Sequence, residues 1–134
     1  MKKIAFFVAF TLATVAAAAQ TLPAKAQKFI EVAFPERSVL MVKEGHVDYE
    51  VMLDDFTELE FDSRGNWKEI DAKGHGDIPD TAVPAKILER IAKNFDAQKI
   101  VKIERNRHSN YEVELINGIE IEFNNDFVII DIDK

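Results

Sequence analysis

Tyr111-Glu112-Val113-Glu114-Leu115-Ile116-Asn117-Gly118-Ile119-Glu120-Ile121-Glu122-Phe123 is the stretch that decides the fold. Apolar and acidic residues alternate on either side of Asn117-Gly118, and a period of two is the repeat of a strand with one face buried and the other wet. Asn and Gly both tolerate positive φ, so this dipeptide closes a tight hairpin between the two runs. The expected inward set is Tyr111, Val113, Leu115, Ile121 and Phe123. Working outward, Val101 and Ile103 supply a strand before the hairpin, and Phe127-Val128-Ile129-Ile130-Asp131 supplies one after it. Further upstream, Val83, Ile87, Ile91 and Phe95 recur every fourth residue, the apolar stripe of a helix.

The same order occurs earlier in the chain. Leu22-Pro23-Ala24-Lys25 matches Val83-Pro84-Ala85-Lys86, and Tyr49-Glu50-Val51-Met52-Leu53 matches Tyr111 to Leu115. Glu58-Leu59-Glu60-Phe61 matches Glu120 to Phe123, and Trp67-Lys68-Glu69-Ile70-Asp71 aligns with Phe127 to Asp131. The first helical stripe is Leu22, Ala26, Phe29, Ile30 and Ala33, stopped by Pro35. Alternation then turns Leu40, Val42, Tyr49, Val51, Leu53, Leu59 and Phe61 inward. Met41, Lys43, Glu50, Met52, Glu58 and Glu60 turn outward. Pro23 and Pro84 suit the first helical turn, with Thr21 and Thr81 as capping residues. An order kept over about 50 residues reads as a duplication. The expected fold is α+β: a helix plus four antiparallel strands in 20–71 and again in 81–134, joined by the Gly- and Asp-rich segment 72–80. The two units pool their strands into one curved sheet with both helices packed on one face.

Residues 1–19 stand apart from this pattern. Lys2 and Lys3 precede an apolar run from Ile4 to Val15, and Ala17 and Ala19 fill an A-x-A site, the order of a secretory signal peptide cleaved after Ala19. The run is shorter than the roughly 18–20 residues a membrane span needs. Loss of the two lysines takes the net charge from -7 to about -9. The expected location is the periplasm or the medium, with no membrane span in the mature chain. At 134 residues and 47% hydrophobic content the chain is one ordinary domain rather than a disordered segment. Zero Cys excludes disulfides, thiolate zinc, iron–sulfur clusters and a catalytic thiol. The acidic balance argues against nucleic acid as a partner.

Candidate chemistry is sparse, and we assign no catalytic residue, no metal ligand and no cofactor. His46 and His108 fall in turns and His75 lies between two glycines; none has a second His or a carboxylate at ligand spacing. Ser38, Ser63 and Ser109 lie at strand starts or turns, without a nucleophile-elbow motif. Glu50, Glu58, Glu60, Glu112, Glu114, Glu120 and Glu122 alternate with core residues, as on any half-exposed strand, with Lys43, Lys68, Lys99, Lys102 and Arg105 as cross-strand partners. Neither Asp54-Asp55 nor Asn124-Asn125-Asp126 opens a twelve-residue calcium loop. Trp67 is the most informative side chain. If Ile70 points inward, strict alternation turns Trp67 outward unless a bulge intervenes. An outward Trp67 joins Met41, Met52 and its counterpart Phe127 on the open face as partner-binding anchors.

The residues that carry the duplication, from LPAK and FIEVAFP through YEV, ELEFD and GNWKEID to VPAKI, KIVKIE and YEVEL, resemble the exported bacterial PepSY-like domains, also described as β-lactamase-inhibitor-like. The resemblance spans about residues 22–133. It implies a tandem fold with a curved sheet backed by helices, no catalytic residues, and restraint of a secreted enzyme. The functional expectation is an exported non-enzymatic binding protein, an inhibitor or modulator of an envelope or secreted enzyme, acting through the open sheet face. The alternative is an envelope protein that binds a cation or small ligand through its carboxylates and His75.

Overall fold

A computed structural model describes residues 21–72, 74–106, 108 and 110–134. The leader expected in 1–19 and Ser109 lie outside the described residues. Helix α1 (Ala24–Ala33) precedes strands β1 (Val39–Glu44), β2 (Asp48–Leu53), β3 (Glu58–Asp62) and β4 (Trp67–Asp71). After a 3-10 turn at Asp80–Ala82 come α2 (Ala85–Asn94), β5 (Ile100–Arg105), β6 (Tyr111–Leu115), β7 (Glu120–Phe123) and β8 (Ile129–Asp133). The eight strands form one open antiparallel sheet in chain order, β1 through β8. The class is therefore α+β, as expected from the alternating patterns.

The inward strand residues line up across the whole sheet. Val42 pairs with Val51, Val51 with Leu59, Leu59 with Ile70, Ile70 with Ile103, Ile103 with Val113, Val113 with Ile121, and Ile121 with Ile132. Ala26, Ile30 and Ala33 of α1 and Ile87 and Ile91 of α2 join most of this row in a single buried cluster. With no disulfide available, that continuous burial is the main favourable contribution to stability.

Four β-bulges interrupt strict alternation. Leu40 is the extra residue between Val39 and Met41, and Val101 that between Ile100 and Lys102. Lys68 is extra opposite Glu60 and Phe61, and Ile130 is extra opposite Glu122 and Phe123. Each bulge moves the residues on one side of it to the opposite face. Leu40, expected inward, is consequently 38% exposed while Val39 takes the core place. Val101 is buried, but Ile100 and Ile103 are the residues in the core cluster.

The helix starts also differ from expectation. Pro23 and Pro84 are themselves the N-caps, and neither cap makes a side-chain hydrogen bond. Thr81 instead donates its hydroxyl to the Ala33 carbonyl at 2.7 Å, closing the far end of α1 rather than opening α2.

Candidate binding surface

The bulge at Lys68 decides where Trp67 goes. Phe61 pairs with Trp67 while Glu60 pairs with Glu69, so Trp67 and Ile70 share the core face. Trp67 is 8% exposed, with ring centroids 6.3 Å from Phe29 and 6.1 Å from Tyr111. The outward placement of Trp67 is thereby corrected. Phe127 is corrected with it: it packs on the core and stacks on Tyr111 at 5.3 Å. Nor is it the counterpart of Trp67, because Ile129 holds that register position opposite Phe123. Arg105, expected among the acid partners, lies over these rings, its guanidinium 4.5 Å from the Trp67 centroid and 5.7 Å from Tyr111. A cation on an aromatic face gains from the ring quadrupole.

Met41 and Met52 are on the opposite face, paired with each other at its β1 end. From there the open face is acidic. One transverse row runs Lys43, Glu50, Glu60, Glu69, Glu104, Glu112, Glu122 and Asp131, each member directly opposite the next. The neighbouring row runs Met41, Met52, Glu58, Asp71, Lys102, Glu114, Glu120 and Asp133. The first row contains one cation, at its β1 end.

Two further lysines dilute this field. Lys68 lies 3.7 Å from Asp48 and 3.9 Å from Glu60, and Lys102 lies 3.1 Å from Glu69. Burial opposes the charge of Lys102, yet Glu69, with Asp71 and Glu104, raises its pKa above the usual ammonium value. Beyond β5 the row is less well compensated. Burial and the neighbouring Glu104, Glu120 and Glu122 push the Glu112 carboxyl above its ordinary value. Glu58 is raised by burial and by Asp71 and Glu69, against a lowering contribution from His75. Asp48, Glu50 and Glu60 also bring carboxylate oxygens within 4.8 Å of one another, a geometry able to hold a metal ion.

The histidines are not members of the two rows, although His75 is near enough to Glu58 to lower its pKa. His46, His75 and His108 are exposed, and His75 rests against the Phe56 ring at 5.8 Å. Shallow cavities of about 230 and 360 Å³ are lined by helix and joint residues such as Arg90, Leu88 and Pro79, and none of the row carboxylates lines them. Among the described residues, no helix is long and apolar enough to cross a membrane.

The rows were not visible in the sequence as rows. Alternation marked seven of the glutamates, Glu50 to Glu122, but not Glu104 or Asp131; which carboxylates face one another depends on register, and register depends on bulges that leave no compositional trace.

The fold is thus an open antiparallel sheet with one apolar face in the core and one broad face of charged rows. The chain belongs to the family described as "Putative beta-lactamase-inhibitor-like, PepSY-like", which matches residues 13–55 and 47–131. Among solved structures it is similar to a "putative periplasmic protein" from Bacteroides vulgatus, at 39% identity and TM-score 0.76, covering 87% of this chain and 93% of that one. A "putative calcium-regulated periplasmic protein" from Bacteroides thetaiotaomicron matches at 35% identity and TM-score 0.77 over 87% and 93% of the two chains. A second Bacteroides vulgatus protein, of unknown function, matches at 34% identity and TM-score 0.74 over 87% and 94%. No curated protein matches the chain.

Proposed function

We propose that this chain is an exported, non-enzymatic binding protein of the cell envelope that engages a basic partner protein through the open face of its sheet. The observation that carries the reading is the row from Glu50 to Asp131, in which carboxylate faces carboxylate across successive strands. Like charges directly opposite one another each cost about 0.2–1 kcal/mol. A cationic surface laid on the row removes that repulsion and is drawn to it by the same field. Met41 and Met52 give the face an adaptable apolar end, and they are the anchors we retain. The inhibitor-like description of the family supports a secreted enzyme as the partner, and the periplasmic descriptions of the relatives support the signal-peptide reading of 1–19. The matched element order and the matched bulges support a tandem duplication whose two helices back the core face. To test the reading, partners captured from the envelope by the parent protein are compared with those captured by Glu104→Gln/Glu112→Gln/Glu122→Gln. A partner that is retained equally by the variant overturns the assignment to this face.

A second reading is favoured by Asp48, Glu50 and Glu60, which can converge on one cation. The "calcium-regulated" description of the Bacteroides thetaiotaomicron relative points the same way. Calcium there competes with Lys68, which already neutralises Asp48 and Glu60. Calorimetric titration with calcium checks it: heat that disappears in Glu60→Gln supports a site, and no heat at millimolar calcium removes it.

A further inference from the structure

We infer that the β8 edge of one copy pairs with the β1 edge of a second copy, extending the sheet head to tail in the register of the existing rows. Among the described residues, β1 and β8 each have a strand neighbour on one side only, and an exposed edge is a template for another strand unless it is blocked. Both edges carry exposed apolar side chains: Leu40 on β1, Ile130 (50%) and Ile132 (46%) on β8, with Val128 just before it. Neither strand contains a proline, and β8 contains no lysine.

The ends of the rows match in chemistry as well as in position. The acid row starts at Lys43 on β1 and finishes at Asp131 on β8. The core row starts at Val42 and finishes at Ile132. Adjacent strands alternate in direction through all eight, so β8 of one copy meets β1 of the next antiparallel, like every pair inside the sheet. In the register that continues the rows, Asp131 faces Lys43 of the second copy and Ile132 faces its Val42. Pairing β8 with β8 instead brings the acids Asp131 and Asp133 toward acids of the same strand, an unfavourable cross-strand match. Pairing β1 with β1 leaves Ile130 and Ile132 uncovered. Charge therefore selects the head-to-tail arrangement over β8–β8 pairing, and coverage of the exposed isoleucines selects it over β1–β1 pairing. Such an interface is heterologous, and it forms open chains or rings rather than a closed twofold dimer.

Sedimentation velocity of the purified protein at increasing concentration gives the first readout. The expected result is a mean mass that climbs with concentration up to about 1 mM, the weak end of the affinity scale. Ile132→Lys, Lys43→Glu and Asp131→Lys each weaken association by about tenfold, and Lys43→Glu/Asp131→Lys recovers most of it by reversing the pair. All three positions are exposed or half-exposed on the sheet edges, and circular dichroism of each variant verifies the fold. A chain that stays monomeric throughout, or a double variant as weak as its singles, overturns the inference. The absence of native Cys permits a register test. Lys43→Cys and Asp131→Cys proteins, mixed and oxidised, form the 43-to-131 crosslink faster than either protein crosslinks to itself. Equal rates overturn the pairing.

Discussion

The turn between β3 and β4 and the turn between β7 and β8 share a backbone and differ at its tightest point. In the first, the Gly65 amide donates to the Asp62 carbonyl, and Asp62 Oδ1 accepts from Arg64 and Asn66. In the second, the Phe127 amide donates to the Asn124 carbonyl, and Asn124 Oδ1 accepts from Asp126 and Val128. Gly65 and Phe127 both have positive φ, at 89° and 63°. The β2–β3 and β6–β7 turns repeat the contrast with the halves exchanged, Phe56 at 68° matching Gly118 at 92°. The left-handed position is thus set by the hydrogen-bond pattern of each turn, and its occupant by what lies next to it. A Cβ on Gly65 would come within 2.9 Å of the Ala26 amide nitrogen, so the first turn is pressed onto the start of α1, whereas a Cβ on Gly118 meets nothing within 4 Å. Phe127 instead spends its left-handed strain on a stack with Tyr111.

The largest expected effect tests the counterparts Trp67 and Ile129. Trp67→Ala removes a ring packed against Phe29 and Tyr111 and lowers stability by about 3–5 kcal/mol, whereas Ile129→Ala, half-buried, costs about 1–2. Urea denaturation gives both values, and a Trp67→Ala loss below that of Ile129→Ala contradicts the core assignment. Next comes the pair of glycines. Gly65→Ala combines a left-handed penalty with a clash and costs about 2–4 kcal/mol, while Gly118→Ala pays only the conformational part, about 1–2. Equal losses in the two variants show that the contact with α1 contributes nothing.

A smaller effect concerns charge. The raised Glu58 and Glu112 bind protons more tightly in the folded than in the unfolded chain, so stability rises as pH falls from neutral toward the ordinary carboxylate range. Asp62 has the opposite sign. Burial opposes its ionisation, but hydrogen bonds from Asn66 and the Arg64 amide hold its pKa below the ordinary value, and this stability is lost on further acidification. Melting temperature therefore passes through a maximum at mildly acidic pH. Glu112→Gln raises stability at pH 7 by about 0.2–1 kcal/mol and flattens the rise between neutral pH and the maximum. A melting temperature that falls steadily from pH 7 downward rules this out. The smallest change is Phe56→Gly, where relief of the left-handed strain is offset by greater unfolded-state freedom and a lost contact with His75, for a net gain of at most about 1 kcal/mol.

Most strands were legible because each buries only one face. Tyr111, Val113 and Leu115 announce their direction through Glu112 and Glu114, and Asn117-Gly118 announces the turn. The expected directions failed where a bulge added a residue, at Leu40, at Val101 and beside Trp67, since an extra residue in a strand resembles an ordinary one until its partner strand is in place. The same blindness hid the acid rows. Glu50, Glu60, Glu112 and Glu122 were marked one by one and Glu104 and Asp131 were not, because a row is a property of seven registers at once. Phe127 was placed in the last strand rather than in the turn at Asn124-Asn125-Asp126 for a different reason: a bulky aromatic residue gives no hint of positive φ, which glycine and asparagine advertise.

The strand order also constrains how the chain folds. Six of the seven pairings join strands separated by one short turn, and only Asp71 and Ile100, across the β4–β5 junction, are far apart in sequence. Closing a short loop costs little entropy, so the two four-stranded meanders can zip up locally before they meet. Loop-closure entropy makes the docking of β5 against β4, where Ile70 pairs with Ile103 and each half acquires its missing neighbour, the step expected to form last.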